Sequence, residues 1–303
     1  MKTANRTAIP LANFHRLLGL VLFAAWNTTA GLAAETNETK ADKSGYHLLK
    51  PTPEALMREM RTDRPDKTES PSTVDAGHIQ IELDAFSFTR EYNSSNGGNV
   101  RTDSWAVAPI NLKIGLCNSV DFQLVLETWN KVRINDRDAG TVERHRGFGD
   151  ITARLKINLW GNDGGTTAFG VMPFVKLPTN QDGLGNNGVE GGIIFPFAIA
   201  LPGGWDLGVM TEYDYVRNGD NSGYHSEFIN SITVSHDIAG KLGGYAEFFS
   251  AISTDRHKSW IGYVDFGLTY GLTKNIQLDA GVNIGITDSA KSWNPFIGFS
   301  ARF

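Results

Sequence analysis

Between Trp260 and Thr287 the chain keeps a strict period of two for almost its whole length. Trp260, Gly262, Val264, Phe266, Leu268, Tyr270 and Leu272 share one face of the first half. Ile276, Leu278, Ala280, Val282, Ile284 and Ile286 share one face of the second, against Gln277, Asp279, Asn283 and Thr287 on the other. Successive side chains of a strand point to opposite faces of the sheet, so this period demands β structure. Thr273, Lys274 and Asn275 join the halves as a tight hairpin. Each arm is far longer than the usual strand of about five or six residues. Tilted by about 40°, such an arm rises roughly 25–30 Å, the apolar thickness of an outer membrane. The expectation is an all-β protein, a closed antiparallel transmembrane β-barrel.

Composition fits that expectation without proving it. The hydrophobic share is 41%, and 33 glycines and 11% aromatics suit a β-rich chain. A helical membrane protein needs apolar runs of about 20 residues. The longest run, Leu17 to Trp26, is shorter and follows Lys2, Arg6 and Arg16. With Ala33 and Ala34 ahead of Glu35, residues 1–34 read as an export signal peptide. Its removal takes three positive charges and moves the net charge from −5 to −8. An acidic exported chain is a poor nucleic-acid binder, and no nucleic-acid partner is expected. Cys117 is alone, which excludes an internal disulfide, a thiolate zinc cluster and a CxxC redox pair.

Residues 35–77 read as a periplasmic leader. The polar stretch 35–50 has no period and is expected to be flexible. Thr52-Pro53-Glu54 has the order of a helix start, predicting a short N-terminal helix from Pro53 to Met60. Its place is under or inside the barrel mouth.

Residues 78–303 form the expected barrel. Twelve strands are predicted near 78–90, 101–115, 120–134, 148–160, 166–177, 188–201, 205–217, 225–237, 241–252, 260–272, 276–287 and 293–303. Their connections alternate between a mostly longer set (91–100, 135–147, 178–187, 218–224, 253–259, 288–292) and a tight set (116–119, 161–165, 202–204, 238–240, 273–275). Outer-membrane barrels keep short turns in the periplasm and longer loops outside. Trp105, Trp260 and Trp293 fall near the long-loop ends, Trp160 and Trp205 near the short-turn ends, as two aromatic girdles require. Outer-membrane lipid is the expected surrounding.

The hydrophilic face supplies the candidate pore lining: Glu82, Asp84, Lys113, Glu127, Lys131, Arg133, Arg154, Lys156, Lys176, Glu190, Glu212, Asp214, Glu247, Asp265 and Asp279. A charge facing lipid at mid-depth costs about 2–4 kcal/mol, so all of these are expected to point inward. The bases of this set lie within 101–177, whereas its members within 188–287 are all acids. Across a lumen that sets a positive wall against a negative one. The arrangement suits a wet constriction passing small-molecule solutes, or equally a set of ion pairs that packs a narrow barrel shut.

The segment Thr62-Asp63-Arg64-Pro65-Asp66, then Thr68-Glu69-Ser70-Pro71, followed by Gly77, His78, Gln80 and Glu82, resembles the outer-membrane family labelled "MetA-pathway of phenol degradation". GFGDITARLK at 147–156, VKLPTN at 175–180 and the terminal Phe303 add to the likeness. The resemblance implies an outer-membrane barrel and passage of small hydrophobic or aromatic compounds. Physically, two prolines exclude residues 62–71 from a ladder. Their charges form a salt-bridged knot at the periplasmic end, or the segment merely fixes the entry of the first strand. Phe303, with Gly298 before it, resembles the C-terminal signal read by barrel-assembly machinery.

Enzyme motifs and a resident cofactor are not expected. Gly183-Leu184-Gly185 precedes no helix, so it is no dinucleotide site. Asp136 and Asp138 lack the rest of a calcium loop, and no metal site is expected. His225 with Ser226 and His236 with Ser235 leave open an outer-membrane lipid hydrolase, without the spacing of a triad. A closed structural or adhesion barrel is the other alternative.

Overall fold

The computed structural model describes residues 41–93, 99–220, 222–255 and 258–303. Among them fifteen strands run in chain order. They are β1 (Ile79–Asn93), β2 (Val100–Val107), β3 (Ile110–Cys117), β4 (Val120–Leu126), β5 (Trp129–Asp136), β6 (Thr141–Gly147), β7 (Ile151–Trp160), β8 (Thr167–Leu177), β9 (Glu190–Leu201), β10 (Trp205–Arg217), β11 (Tyr224–Ala239), β12 (Leu242–Ser253), β13 (Ile261–Thr273), β14 (Ile276–Gly285) and β15 (Trp293–Arg302). All pairings are antiparallel, and β15 returns to pair with β1, so the sheet closes.

The fifteen strands make twelve staves. Ala108 and Pro109 interrupt the second stave, dividing β2 from β3, with Ala108 at a φ of 52°. Glu127 and Thr128 divide β4 from β5 across the same level, and residues 148–150 divide β6 from β7. Proline cannot donate to a ladder, which explains the first break. Above the breaks, β1, β2, β5 and β6 form a rim sheet. The loop expected over 135–147 is therefore mostly strand, with a turn at 137–140. Among the described residues β6 pairs with β5 alone. The chain after β8 covers that edge, through Gln181 N to Phe148 O at 2.9 Å and Arg146 N to Asp182 Oδ2 at 2.9 Å.

Burial runs opposite to that of a soluble protein. Phe266, Leu268, Tyr270 and Leu272 are exposed, whereas Lys156, Asp121 and Asp265 are 0% exposed. A sandwich would bury the first set and expose the second. Here the apolar face meets lipid and the hydrophilic face encloses the interior, as a membrane barrel requires. The aromatic girdles are present: Phe88, Trp105 and Trp293 cluster at the long-loop end, and Trp160, Phe169 and Phe197 at the short-turn end.

The expected N-terminal helix is a single 3-10 turn, Glu54–Leu56, with Pro53 in the capping position and no side-chain cap. Thr52 does not cap it: it stands one residue before the cap position, its Oγ1 accepts no hydrogen bond among the described residues, and its backbone N–H donates to Ala76 O at 2.9 Å. Nor is the stretch before it loose. Residues 43–50 dock under the barrel, with Leu48 N donating to Leu116 O at 2.9 Å and Lys43 Nζ to Asp163 at 2.8 Å. The expected export signal lies outside the described residues.

Candidate functional site: a charged plug in the lumen

From Met57, whose backbone is extended, the chain turns into the barrel. Arg58 anchors the entry, donating to Thr73 O at 3.0 Å and Asn118 O at 3.1 Å, with Asp75 Oδ1 at 3.4 Å. Residues 62–71 then cross the lumen. Ser70 N donates back to Asp63 Oδ1 at 2.9 Å, which folds the segment on itself. The return leg is fixed by Asn158 Nδ2 to Pro71 O at 2.9 Å and Val74 N to Asp121 Oδ2 at 2.9 Å. Prolines and a missing ladder leave this backbone with polar groups that the lumen wall must satisfy. The wall does so largely with charged side chains.

Two of the three acids in residues 62–71 meet the basic wall, whereas Asp66 lies by Thr233 and Glu247. Asp63 takes Lys156 Nζ at 2.6 and 2.7 Å and also Lys113, which pairs in turn with Glu82. Glu69 accepts from Arg154 at 2.6 Å, with Lys156 Nζ at 3.8 Å. The plug's bases meet the acidic wall. Arg64 bridges Asp84 at 2.5 Å and Asp279 at 2.6 Å, with its guanidinium over Phe296. Lys67 pairs with Asp265, and its ammonium stands 4.9 Å from the centre of the Tyr263 ring. Glu247 accepts from the Lys67 backbone at 2.9 Å and from Thr68 Oγ1 at 2.5 Å. Plug and wall thus pair Asp63 and Glu69 with bases on one side, and Arg64 and Lys67 with acids on the other.

Two wall glycines are required by this docking. A Cβ on Gly115 would lie 2.0 Å from the Asp75 carbonyl oxygen. One on Gly298 would lie 2.3 Å from Arg64 Nη2 and 2.4 Å from Leu83 O. Gly298 therefore has a packing role at the plug.

Above the plug the remaining inward candidates line the long-loop half. Lys176 reaches Glu190 at 3.0 Å and Asp150 at 3.6 Å. Glu127 accepts from Asn130 Nδ2 at 3.2 Å, and Glu212 and Asp214 occupy successive inward positions on β10. Lys131 and Arg133 do not line the pore. Through the register Lys131 sits beside Trp105 and Arg133 beside Asp103, which faces Arg90 and then Trp293, all on the outer wall. The expectation failed because these strands rise past the hydrocarbon, where an outward charge is not penalised.

Arg58 and Asp75 were not foreseen as anchors. Neither stands out in the sequence: Arg58 is one of three neighbouring charges between Met57 and Arg61, and Asp75 is a lone acid among small residues. The two Ser/His pairs cannot cooperate, since neighbours on a strand face opposite sides. His225 instead lies 2.9 Å from Glu227 and 2.8 Å from Asn218. Asp136 Oδ1 caps its own turn, accepting from Asp138 N and Ala139 N.

Between the plug and the wall formed by β9–β14 lies a cavity of about 380 Å³, lined by Asp66, Thr68, Gly208, Thr233, Ser235 and Gln277, among others. Farther along the plug, Met172, Ile194 and Met210 form a small buried apolar cluster, with Phe174 and Ile229 against it.

Comparison with known proteins places this architecture. Residues 62–303, from the plug to the last residue, match the model of the family described as "Putative MetA-pathway of phenol degradation". The chain belongs to that family. Among solved structures it is similar to the COG4313 outer membrane channel from Pseudomonas putida F1, at 12% identity and a TM-score of 0.55, covering 80% of this chain and 100% of that one. It is also similar to the NanC porin (11% identity, TM-score 0.47, 72% and 98% covered) and to the TodX monoaromatic hydrocarbon channel (10%, 0.41, 75% and 90%). No curated protein matches the chain. The family member is thus an outer-membrane β-barrel of twelve staves.

Proposed function

We propose that this family member is an outer-membrane channel for small solutes, gated by residues 58–76, and that single-ring aromatic compounds are among those solutes. The observation that carries the reading is how the plug is held. Its contacts with the wall are mostly ion pairs and hydrogen bonds, and the buried apolar cluster beside it is small. A buried ion pair gains little over its separated, rehydrated partners. Such a plug leaves a wet lumen at modest cost, whereas an apolar core would not. A cavity of about 150 Å³ accepts benzene, so the space beside the plug is ample for one ring. Aromatic side chains at Phe174, Phe249, Tyr263 and Phe296 face the interior. The family description names phenol degradation, and the COG4313 protein is described as an outer membrane channel.

In this reading residues 1–34 direct export, 35–77 supply the leader and plug, and 78–303 the barrel, whose terminal Phe303 is offered to the assembly machinery. The chain then performs no covalent chemistry. The pore-lining set is the predicted one without Lys131 and Arg133. The test is planar-bilayer conductance and phenol uptake into proteoliposomes, with the wild type and the Arg64→Ala/Lys67→Ala double variant. The double variant is expected to conduct more. If neither folded protein passes current or phenol, the channel reading is wrong.

A further inference from the structure

The outer wall of the rim sheet carries a concentration of positive charge that the lumen does not use. Arg90, Arg101, Lys131, Arg133, Arg144 and Arg146 all fall on this face by register, with Asp103 between them. Asp103 is consumed: Arg90 Nε donates to it at 2.7 Å and Arg101 Nη2 at 2.5 Å. Among the described residues no carboxylate pairs with the side chains of Lys131, Arg133, Arg144 or Arg146. The other nearby acids point elsewhere. Glu143 lies on the inner face, and Asp182 accepts from the backbone of Arg146 and lies 3.5 Å from His145.

The register makes this arrangement costly for the protein alone. Arg133 stands directly opposite Arg144, and Lys131 directly opposite Arg146. Like charges facing each other across a strand pair are destabilising, and here two such pairs are adjacent. A multivalent anion shared between the strands reverses that sign. Guanidinium groups suit phosphate in particular, through paired N–H donors.

Height above the bilayer selects the source of that anion. Phe88, Trp105 and Trp293 stack on the same outward face, with ring centroids 5.6 and 5.4 Å apart. Such a girdle marks the hydrocarbon boundary. Lys131 lies over Trp105 at 5.4 Å and Arg90 over Phe88 at 5.3 Å. Arg133 and Arg144 follow one residue pair higher. The cations therefore occupy the headgroup layer, at the long-loop end that faces the cell exterior. The phosphate-bearing lipid of that leaflet is lipopolysaccharide.

We propose that the outward face of β1, β2, β5 and β6 is a binding site for the phosphorylated headgroup of lipopolysaccharide, held by Lys131, Arg133, Arg144 and Arg146 over the Trp105 girdle. The test uses the full chain, folded in detergent, titrated with purified lipid A and followed by native mass spectrometry. Binding by the wild type is expected to be at least about tenfold tighter than by Lys131→Ala/Arg133→Ala/Arg144→Ala/Arg146→Ala. A milder Arg133→Gln/Arg144→Gln variant is expected to fall between them, and resistance to unfolding by detergent at room temperature confirms that each variant is folded. Equal binding by folded variants overturns the proposal. Equal affinity for dephosphorylated lipid A overturns it too. Displacement of lipid A by inorganic phosphate at millimolar concentration shows a free-phosphate site and overturns the assignment to a lipid.

Discussion

Asp63 is the plug residue whose loss has the most directly calculable effect. Its carboxylate is nearly buried between Lys113 and Lys156, the latter without any exposed surface. In Asp63→Ala, Lys113 keeps Glu82, but Lys156 is left with Glu69 at 3.8 Å and the plug loses the Ser70 turn. Breaking one side of a buried pair costs about 3–5 kcal/mol. The surviving partners place the effect near 3 kcal/mol, roughly a 100-fold shift in an equilibrium. The barrel ladders do not depend on Asp63, so the penalty falls on the docked plug and not on the wall. Open events in single-channel records are expected to become about 100-fold more frequent, and trypsin is expected to cut after Arg61 and Lys67, the Arg64–Pro65 bond being resistant. Asp63→Ala/Lys156→Met removes both charges and is expected to recover much of the closure, since replacing a buried pair with apolar groups is close to neutral. A single variant that stays as closed and as protease-resistant as the wild type would refute the view that ion pairs hold the plug.

Other consequences are equally concrete. Gly115→Ala puts its Cβ against plug backbone and breaks the Gly77 N to Gly115 O bond of 2.8 Å, so the thermal midpoint of the plug, read by hydrogen exchange, is expected to fall by the equivalent of about 1–3 kcal/mol. Gly298→Ala collides with Leu83 O and the Arg64 guanidinium; higher conductance is expected, and unchanged gating would show that Arg64 is not a clamp. At Asp163 burial pushes the carboxyl up, but hydrogen bonds from Lys43 and Asn118 and the Arg58 charge outweigh it and hold it below its ordinary 3.8. A depressed folded-state pKa stabilises at neutral pH and ceases to do so as pH falls below about 4. Hydrogen-exchange protection of residues 43–58 is therefore expected to drop in that window, and Asp163→Asn is expected to be poorly protected with no drop.

The strands were legible because lipid outside and water inside force a period of two, as at Ile276 to Ile286. The twelve-stave count and the long and short ends follow from it. The breaks at Ala108 and Glu127 were hidden, although Pro109 marks the first. β6 was missed because Thr141–Gly147 has charges on both faces, so no apolar alternation signals a strand. The same loss of contrast above the membrane sent Lys131 and Arg133 to the wrong side. In the plug, the motif identified which residues matter, and its prolines showed that they form no strand. Which wall each charge would meet depends on non-local pairing, such as Arg64 with Asp279, that no local pattern contains.

The way the plug is tethered limits how it can move. Only Gly77 and His78 separate Ala76, which binds the backbone of Thr52, from Ile79, which exchanges hydrogen bonds with Phe303 where the ring is sealed. His78 tightens that corner, with Thr52 O and Phe303 O at 2.8 and 3.0 Å from its two ring nitrogens. Withdrawal cannot begin at this end without unlatching the first stave. Arg58 pins the entering leg at the same mouth through Thr73 O and Asn118 O, so the travel left to the plug is that of residues 62–71, a loop held by both of its legs.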